Sequence, residues 1–163
     1  MHNQFLSFFM NIQKFILGVI ISFITYQKNF SQNLVINEVL ASNLSINTDE
    51  ENTPQDWVEI YNGTSQAINL NGYGLTDDVN LPYKWVFPNV TINSGQYLLI
   101  WASDKNRTNP LNPLHTNFKI SAGGETLKLT NSSGTIVDMV VLPAQTDNIS
   151  YGRSPNAIGD FVF

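Results

Sequence analysis

Histidine is the side chain best suited to general acid–base work near neutral pH. Beyond residue 31 the chain carries a single one, His115. A Ser-His-acid arrangement needs only one histidine, and serine is plentiful here. Yet no Gly-x-Ser-x-Gly turn occurs, the pattern that presents a nucleophilic serine on an α/β sheet. A triad is defined by geometry rather than by presence, so His115 reads as a residue at the end of a loop, entering a strand, and no catalytic residue is expected. Zinc calls for closely spaced Cys and His, and the chain has no cysteine. Calcium calls for several oxygens converging on one point. Asp77, Asp78 and Asn80 are one candidate set, and Asp49, Glu50 and Glu51 with Asp56 another. Neither has EF-hand spacing, and the alternative for both is a solvated acidic loop. No cofactor other than calcium is implied.

Paired carboxylates for glycoside hydrolysis must face one cleft. Glu38 and Glu59 fall in successive predicted strands and can approach each other. Charged strand residues commonly point to solvent, so both are read as surface or edge residues paired with Lys84 or Lys128. A phosphate-cradling glycine loop is missing, and Ala122-Gly123-Gly124-Glu125 reads as a tight turn into a strand. Tyr73, Tyr83 and Tyr151 sit beside loops and are the candidates for a binding surface, with partial burial at strand ends as the alternative. Trp57, Trp85, Trp101 and Phe87 fall in predicted strands and read as core. Trp101, in the most apolar run, is the foremost core candidate, and its removal should cost ~3–5 kcal/mol. The Asn-x-Ser/Thr sequons at Asn43, Asn62, Asn89, Asn106, Asn131 and Asn148 matter only in a glycosylating host and are attributed to general asparagine richness.

The elements that must position these residues are short strands. After Gln32 apolar residues recur at period two, broken by Asn, Gly, Ser and Pro, which is a β pattern. Strands are predicted over Leu34–Leu40, Trp57–Asn62, Ile68–Leu70 with Tyr73–Thr76, Tyr83–Pro88, and Gln96–Ala102, the last buried on both faces. Thr126–Thr130 and Thr135–Val141 flank Asn131-Ser132-Ser133-Gly134 as the clearest hairpin. Asn43–Pro54 and Ser103–Leu114 read as long polar loops, and Gly152–Gly159 as turn-rich. No segment sustains a capped 3.6 period, so little helix is expected. Many short, evenly spaced strands make a sandwich or barrel.

The first 31 residues stand apart from this pattern. Phe15–Ile24 is a short apolar run after Lys14, followed by Ser31 and a change in composition. That describes a secretory signal peptide, residues 1–31, cut after Ser31. The run is shorter than the ~20 residues of a spanning helix, so an uncleaved anchor is the alternative and the only membrane attachment implied. The whole chain has 163 residues, 8 Lys+Arg and 13 Asp+Glu, for a charge of −5. Without the leader, which holds Lys14 and Lys28 and no acid, 132 residues remain with a charge of −7. This acidity argues against nucleic acid as a partner, since phosphate binding needs clustered positive charge. A length of 132 residues suits one β-sandwich, held by core packing without disulfides.

The ordered set Ile36-Asn37-Glu38-Val39, Asp56–Asn62, Ile68–Asp78, Trp85–Pro88, Ile92–Ala102, Leu114–Ile120, Gly124–Leu127, Val137-Asp138 and Ser150-Tyr151-Gly152-Arg153 resembles a lamin tail domain of the bacterial secreted type. The match covers essentially all of residues 32–163. It implies an all-β, immunoglobulin-like sandwich without catalytic activity. It also implies a module that often sits beside nucleases, phosphoesterases or kinases of the spore-coat type, or serves as a docking surface, as in nuclear lamins. The expected role is that of a secreted or cell-surface module binding a protein or surface partner. The alternative is an N-terminal accessory domain of a longer secreted enzyme. The family's last segment usually runs further than Asp160–Phe163, so the domain is expected to be cut short in its last strand. Such a strand would leave an open sheet edge for self-association or partner-strand addition.

Overall fold

The computed structural model describes residues 33–163, and the expected leader lies outside them. The chain forms β1 (Leu34–Leu40), β2 (Asp56–Asn62), β3 (Ile68–Asn69), β4 (Gly74–Thr76), β5 (Trp85–Val86), β6 (Thr91–Ile92), β7 (Tyr97–Ala102), β8 (Leu114–His115), β9 (Thr126–Thr130), β10 (Ile136–Val141), β11 (Tyr151–Ser154) and β12 (Asp160–Val162). No helix occurs among the described residues. One sheet has the order β12-β11-β1-β2-β7-β8, a second β10-β9-β4-β5, and β3 pairs with β6 alone. The inward rows of the two larger sheets supply one core. Ile36, Val39, Val58, Ile60 and Ile100 meet Leu75, Trp85, Phe87, Leu127, Leu129 and Val140, all buried. This is the sandwich that the alternating pattern predicts, and its inner faces are the apolar halves of each alternation.

Two bulges explain where the alternation breaks. In β1 the register against β2 shifts between Ile36 and Glu38, leaving Asn37 as the extra residue. That turn of the chain lets Ile36 and Val39, three apart, both point inward. Asn37 is itself buried and replaces the lost ladder bonds with side-chain ones. Its amide donates to Glu59 Oε1 at 2.9 Å, and its Oδ1 accepts the Ala157 N–H at 3.0 Å. The second bulge falls between Ile136 and Asp138 in β10. There Asp138 accepts the Ile36 N–H at 2.8 Å and both carboxylate oxygens accept from Arg153 at 3.1 Å. Arg153 Nε donates to the Ile36 carbonyl at 3.1 Å. The β1–β11 ladder covers only Glu38 and Val39, so this ion pair supplies partners for both backbone groups of Ile36 and ties the two sheets together.

Several expectations change. Trp101 is buried, but with Leu40 and Trp57 in a second cluster rather than in the main core. It stands opposite Trp57 on the outer face of the six-stranded sheet. The large fully buried rings are Trp85 and Phe87, packed edge to face at 4.8 Å. In β7 only Ile100–Ala102 is buried on both faces, while Tyr97 is exposed. At the Ala102 end the Trp57–Trp101 pair and Leu40 bury one another on the outer face, whereas at the other end Tyr97 is met at its hydroxyl by Asn156 of the β11–β12 connection. Glu38 and Glu59 are cross-strand partners, but neither meets Lys84 or Lys128. Lys84 pairs with Asp77 at 2.7 Å, and buried Lys128 donates to the Val79 carbonyl at 2.6 Å. Both lysines belong to the four-stranded side of the molecule. The strands β6, β8, β11 and β12 are too short or too polar for the periodicity to mark.

Candidate functional site

Two loops that sequence spacing leaves unrelated meet at the end of the six-stranded sheet. The chain leaves β7 at Ala102, makes an excursion, and returns as β8 parallel to β7, with Trp101 opposite His115. Arg107 and His115 exchange backbone hydrogen bonds of 3.0 Å in both directions, so the excursion folds back on itself. Asp104 and Asn106 take positive φ, +64° and +51°. Asp and Asn tolerate that conformation better than most residues, and it turns Lys105 and Arg107 toward the other loop. That loop is the Asn43–Gln55 segment. Asp49 Oδ1 accepts the Glu51 and Thr53 N–H groups at 2.9 and 3.1 Å. Asp49, Glu50 and Glu51 are thereby presented side by side.

The contacts between the loops are almost all charged. Lys105 pairs with Asp49 and with Glu51, and Arg107 pairs with Glu50 and Glu51. His115, fully buried, lies beneath. Its Nε2 is 3.0 Å from Glu50 Oε2 and its Nδ1 is 2.7 Å from Ser103 Oγ. Facing an ionised Glu50, Nε2 must carry the hydrogen, and a serine hydroxyl can satisfy Nδ1 as donor or acceptor. Burial alone would raise the Asp49 and Glu50 carboxyls. The Lys105 ammonium and the backbone donors around Asp49 outweigh it, as do the Glu50 backbone N–H, His115 and Arg107 around Glu50, so both end below the ordinary range. Arg107 and then Lys105 lower Glu51 as well.

This constellation has the members of a Ser-His-acid set but not the arrangement of one. A groove of about 560 Å³ opens beside it, lined by Glu50, Arg107, Thr108, Asn109, Asn112 and Pro113. Glu50 faces the groove, whereas Ser103 is buried on the far side of the imidazole, so a molecule in the groove meets the carboxylate and not the serine bonded to His115. A carboxyl held below its usual range is also a poor proton carrier near neutral pH. Asp49, Glu50 and His115 offer ligand atoms within 4.8 Å of one another, but Lys105 and Arg107 already occupy the cationic positions on those two carboxylates.

The other candidates lie elsewhere. Asp56 accepts the Asn43 N–H at 2.9 Å. Asp77 is tied to Lys84, and Asp78 Oδ1 accepts the Asn80 N–H at 2.9 Å in a local turn. Tyr73 is half-buried against the core. Tyr83 is exposed and donates its hydroxyl to the Asn131 carbonyl at 2.7 Å. Tyr151 stacks on Phe161 at 5.1 Å. Tyr83 packs on Gly74, next to Tyr73, whereas Tyr151 belongs to the other sheet. Ser103, Lys105, Arg107 and Asn112 escaped sequence reasoning. The only signal was the pair of long polar loops, one rich in acids and the other holding both Lys105 and Arg107.

A family model for the Lamin Tail Domain matches residues 27–143. The chain belongs to the lamin tail domain family. No curated protein matches it. The immunoglobulin-like sandwich of this lamin tail domain accounts for several of the pieces that carry the family resemblance. Val137-Asp138 and Tyr151-Gly152-Arg153 come together as the Asp138–Arg153 tie between sheets. Gly152 is needed because a Cβ there would lie 2.9 Å from Glu38 Cγ. In Asp56–Asn62, buried Asn62 donates to the Gln66 and Ile92 carbonyls and so holds a turn. In this lamin tail domain the motif polars are structural, and the groove is built from residues outside the motifs.

The acid limb of stability follows from the signs of the carboxyl shifts. Asp49, Glu50 and Glu51 stabilise the fold fully above the unfolded carboxyl range near pH ~4, and lose that contribution as pH falls through their lower folded values. Asp56, Glu59 and Glu125 are raised, in each case chiefly by burial. Their penalty on the ionised fold is relieved as pH falls through their folded values toward about 4. Urea unfolding over a pH series should therefore show stability rising gently into mildly acid solution and then falling steeply below pH ~4. Glu59→Gln should flatten the rise without moving the fall. A curve that falls monotonically from neutral pH contradicts this assignment.

Proposed function

We propose that this lamin tail domain is a non-catalytic docking module of an exported protein, and that its docking face is the outer side of the four-stranded sheet. The observation that supports the reading is the apolar surface around edge strand β10. Met139 and Val141 are exposed there, at 49% and 67%. Val79 and Leu81, in the β4–β5 connection, are exposed as well, as is Val86 on β5. The connection folds back over the sheet. Gly74 lies so close to it that a Cβ would stand 2.2 Å from the Pro82 carbonyl oxygen, and Lys128 reaches Val79. Met139 and Val79 therefore flank Lys128, which is the cross-strand partner of Met139. Exposed apolar patches of this kind mark protein contacts, and β10 has a sheet neighbour on one side only, which suits an added strand from a partner protein. The locked acids of the groove and the burial of the His115-bonded Ser103 away from it support a role without catalysis, and the predicted leader supports export.

The test is photo-crosslinking from position 141 on the exported full-length protein, with the exposed position Ser65 as control. A specific partner should be captured from 141 and not from 65. Met139→Lys, which blunts a β edge, should cut capture at least tenfold while stability stays within ~0.5 kcal/mol. Equal capture by the variant would overturn the docking face. Export is checked separately by sequencing the N-terminus of the protein in the medium, which should begin at Gln32.

A further inference from the structure

We propose that the groove beside Glu50 binds a neutral oligosaccharide. The site is separate from the apolar docking face, so the two readings stand or fall independently. Its volume of about 560 Å³ lies within the ~300–1,000 Å³ common for small-ligand sites. Its chemistry narrows the ligand class. The charges at the groove are already matched to each other: Arg107 is held by Glu50 and Glu51, and Lys105 by Asp49 and Glu51. A charged ligand would have to break these pairs, whereas a neutral one can use the outward lone pairs and N–H groups they leave. The lining mixes these polar groups with a larger share of apolar surface from side-chain stems and Pro113, so a wholly apolar ligand would strand the former while a sugar, with hydroxyls and C–H faces, matches both.

The walls supply both donors and acceptors on planar groups. Glu50 offers a carboxylate and Arg107 a guanidinium, while Asn109 and Asn112 offer amides. Planar groups of this kind can engage adjacent hydroxyls in pairs, and Pro113 adds an apolar patch for the C–H face of a ring. Among the described residues neither Thr108 nor Asn112 has a side-chain hydrogen-bond partner, and the Asn109 amide nitrogen has none either. These groups stand exposed on the groove wall with their hydrogen-bonding capacity free. The site is also fixed before any ligand arrives. The Asn109 Oδ1 accepts the Leu111 N–H at 3.1 Å, the Asn109 carbonyl accepts the Asn112 N–H at 3.1 Å, and the Arg107–His115 bridge closes the loop beneath. The buried Ser103–His115 pair holds Glu50 from behind. Such preorganisation lowers the ordering cost of binding.

The experiment is a titration of the full chain with cello-, xylo-, manno- and chito-oligosaccharides, read by calorimetry and by amide chemical-shift changes. At least one series should bind saturably, with shifts centred on Thr108, Asn109 and Asn112. Asn112→Ala and Thr108→Ala, both on exposed side chains, should each weaken that binding about tenfold, the loss expected for one ligand hydrogen bond, with unchanged melting curves. The proposal is overturned if no series shifts these amides. It is equally overturned if a sugar binds but both variants bind it as tightly as the wild type.

Discussion

Trp85→Ala should destabilise the domain by ~3–5 kcal/mol, the cost of removing a large buried ring and leaving its cavity. Trp85 is 1% exposed and packs between the two sheets against Phe87, on the short strand β5, which has only two residues to anchor it. Little backbone is available to collapse into the space. Its indole N–H has no partner among the described residues, so Trp85→Phe should recover most of the loss, because it restores ring volume and removes an unmet donor. Trp101→Ala should cost less. That ring lies at the rim of the second cluster, 6.5 Å from the His115 ring, where loops can settle into the gap. Equilibrium urea unfolding of the three variants checks the order. If Trp101→Ala proves costlier than Trp85→Ala, the assignment of the main core is wrong.

Asp138→Ala carries the second large effect, an expected loss of ~2–4 kcal/mol. The carboxylate serves the Arg153 guanidinium and the Ile36 N–H at once, so its removal leaves a partly buried cation and a backbone donor without partners. The side chains of the pair are 15% and 19% exposed, too little for water to replace the carboxylate fully. Arg153 also lies over the Phe161 ring at 4.5 Å, so its displacement should loosen β12. Arg153→Met in the Asp138→Ala background should cost much less than in the wild type, since breaking one half of such a pair is worse than removing both. Additive losses in the double-mutant cycle would mean that the two residues act separately. Hydrogen exchange should show β11 and β12 opening first in either single variant.

Much of the fold was legible because its cause is local. A residue in a strand has its side chain on one face or the other, so the alternations in Leu34–Leu40, Trp57–Asn62 and Thr126–Val141 state which faces are dry before any partner is known. The turn at Asn131–Gly134 and the short connections around Gly95 and Gly124 follow from residue types that permit tight or positive-φ backbone. The all-β class, the family resemblance and the absence of a zinc or hydrolase motif were all available at that level. Trp101 shows the limit of the same logic. An apolar run says that a residue is buried, but not which cluster buries it.

Whatever depends on which strand lies beside which had to wait for the tertiary structure. Asp138 and Arg153 are unremarkable in sequence, yet the two bulges and the β1–β11 pairing make them one tie between the sheets. Glu38 and Glu59 do face each other, as strand order suggested, but the lysines expected beside them sit on the opposite side of the sandwich. The groove is the strongest case. Glu50 and His115 are 65 positions apart, and nothing local relates a polar acidic loop to a loop ending in a histidine. They meet because β8 returns parallel to β7 at the end of the sheet where β1 and β2 also turn. The sequence by itself determined the strands, their dry faces and the family; only the tertiary structure decided the site, because strand faces follow from the chain's own stereochemistry and contacts between loops follow from topology.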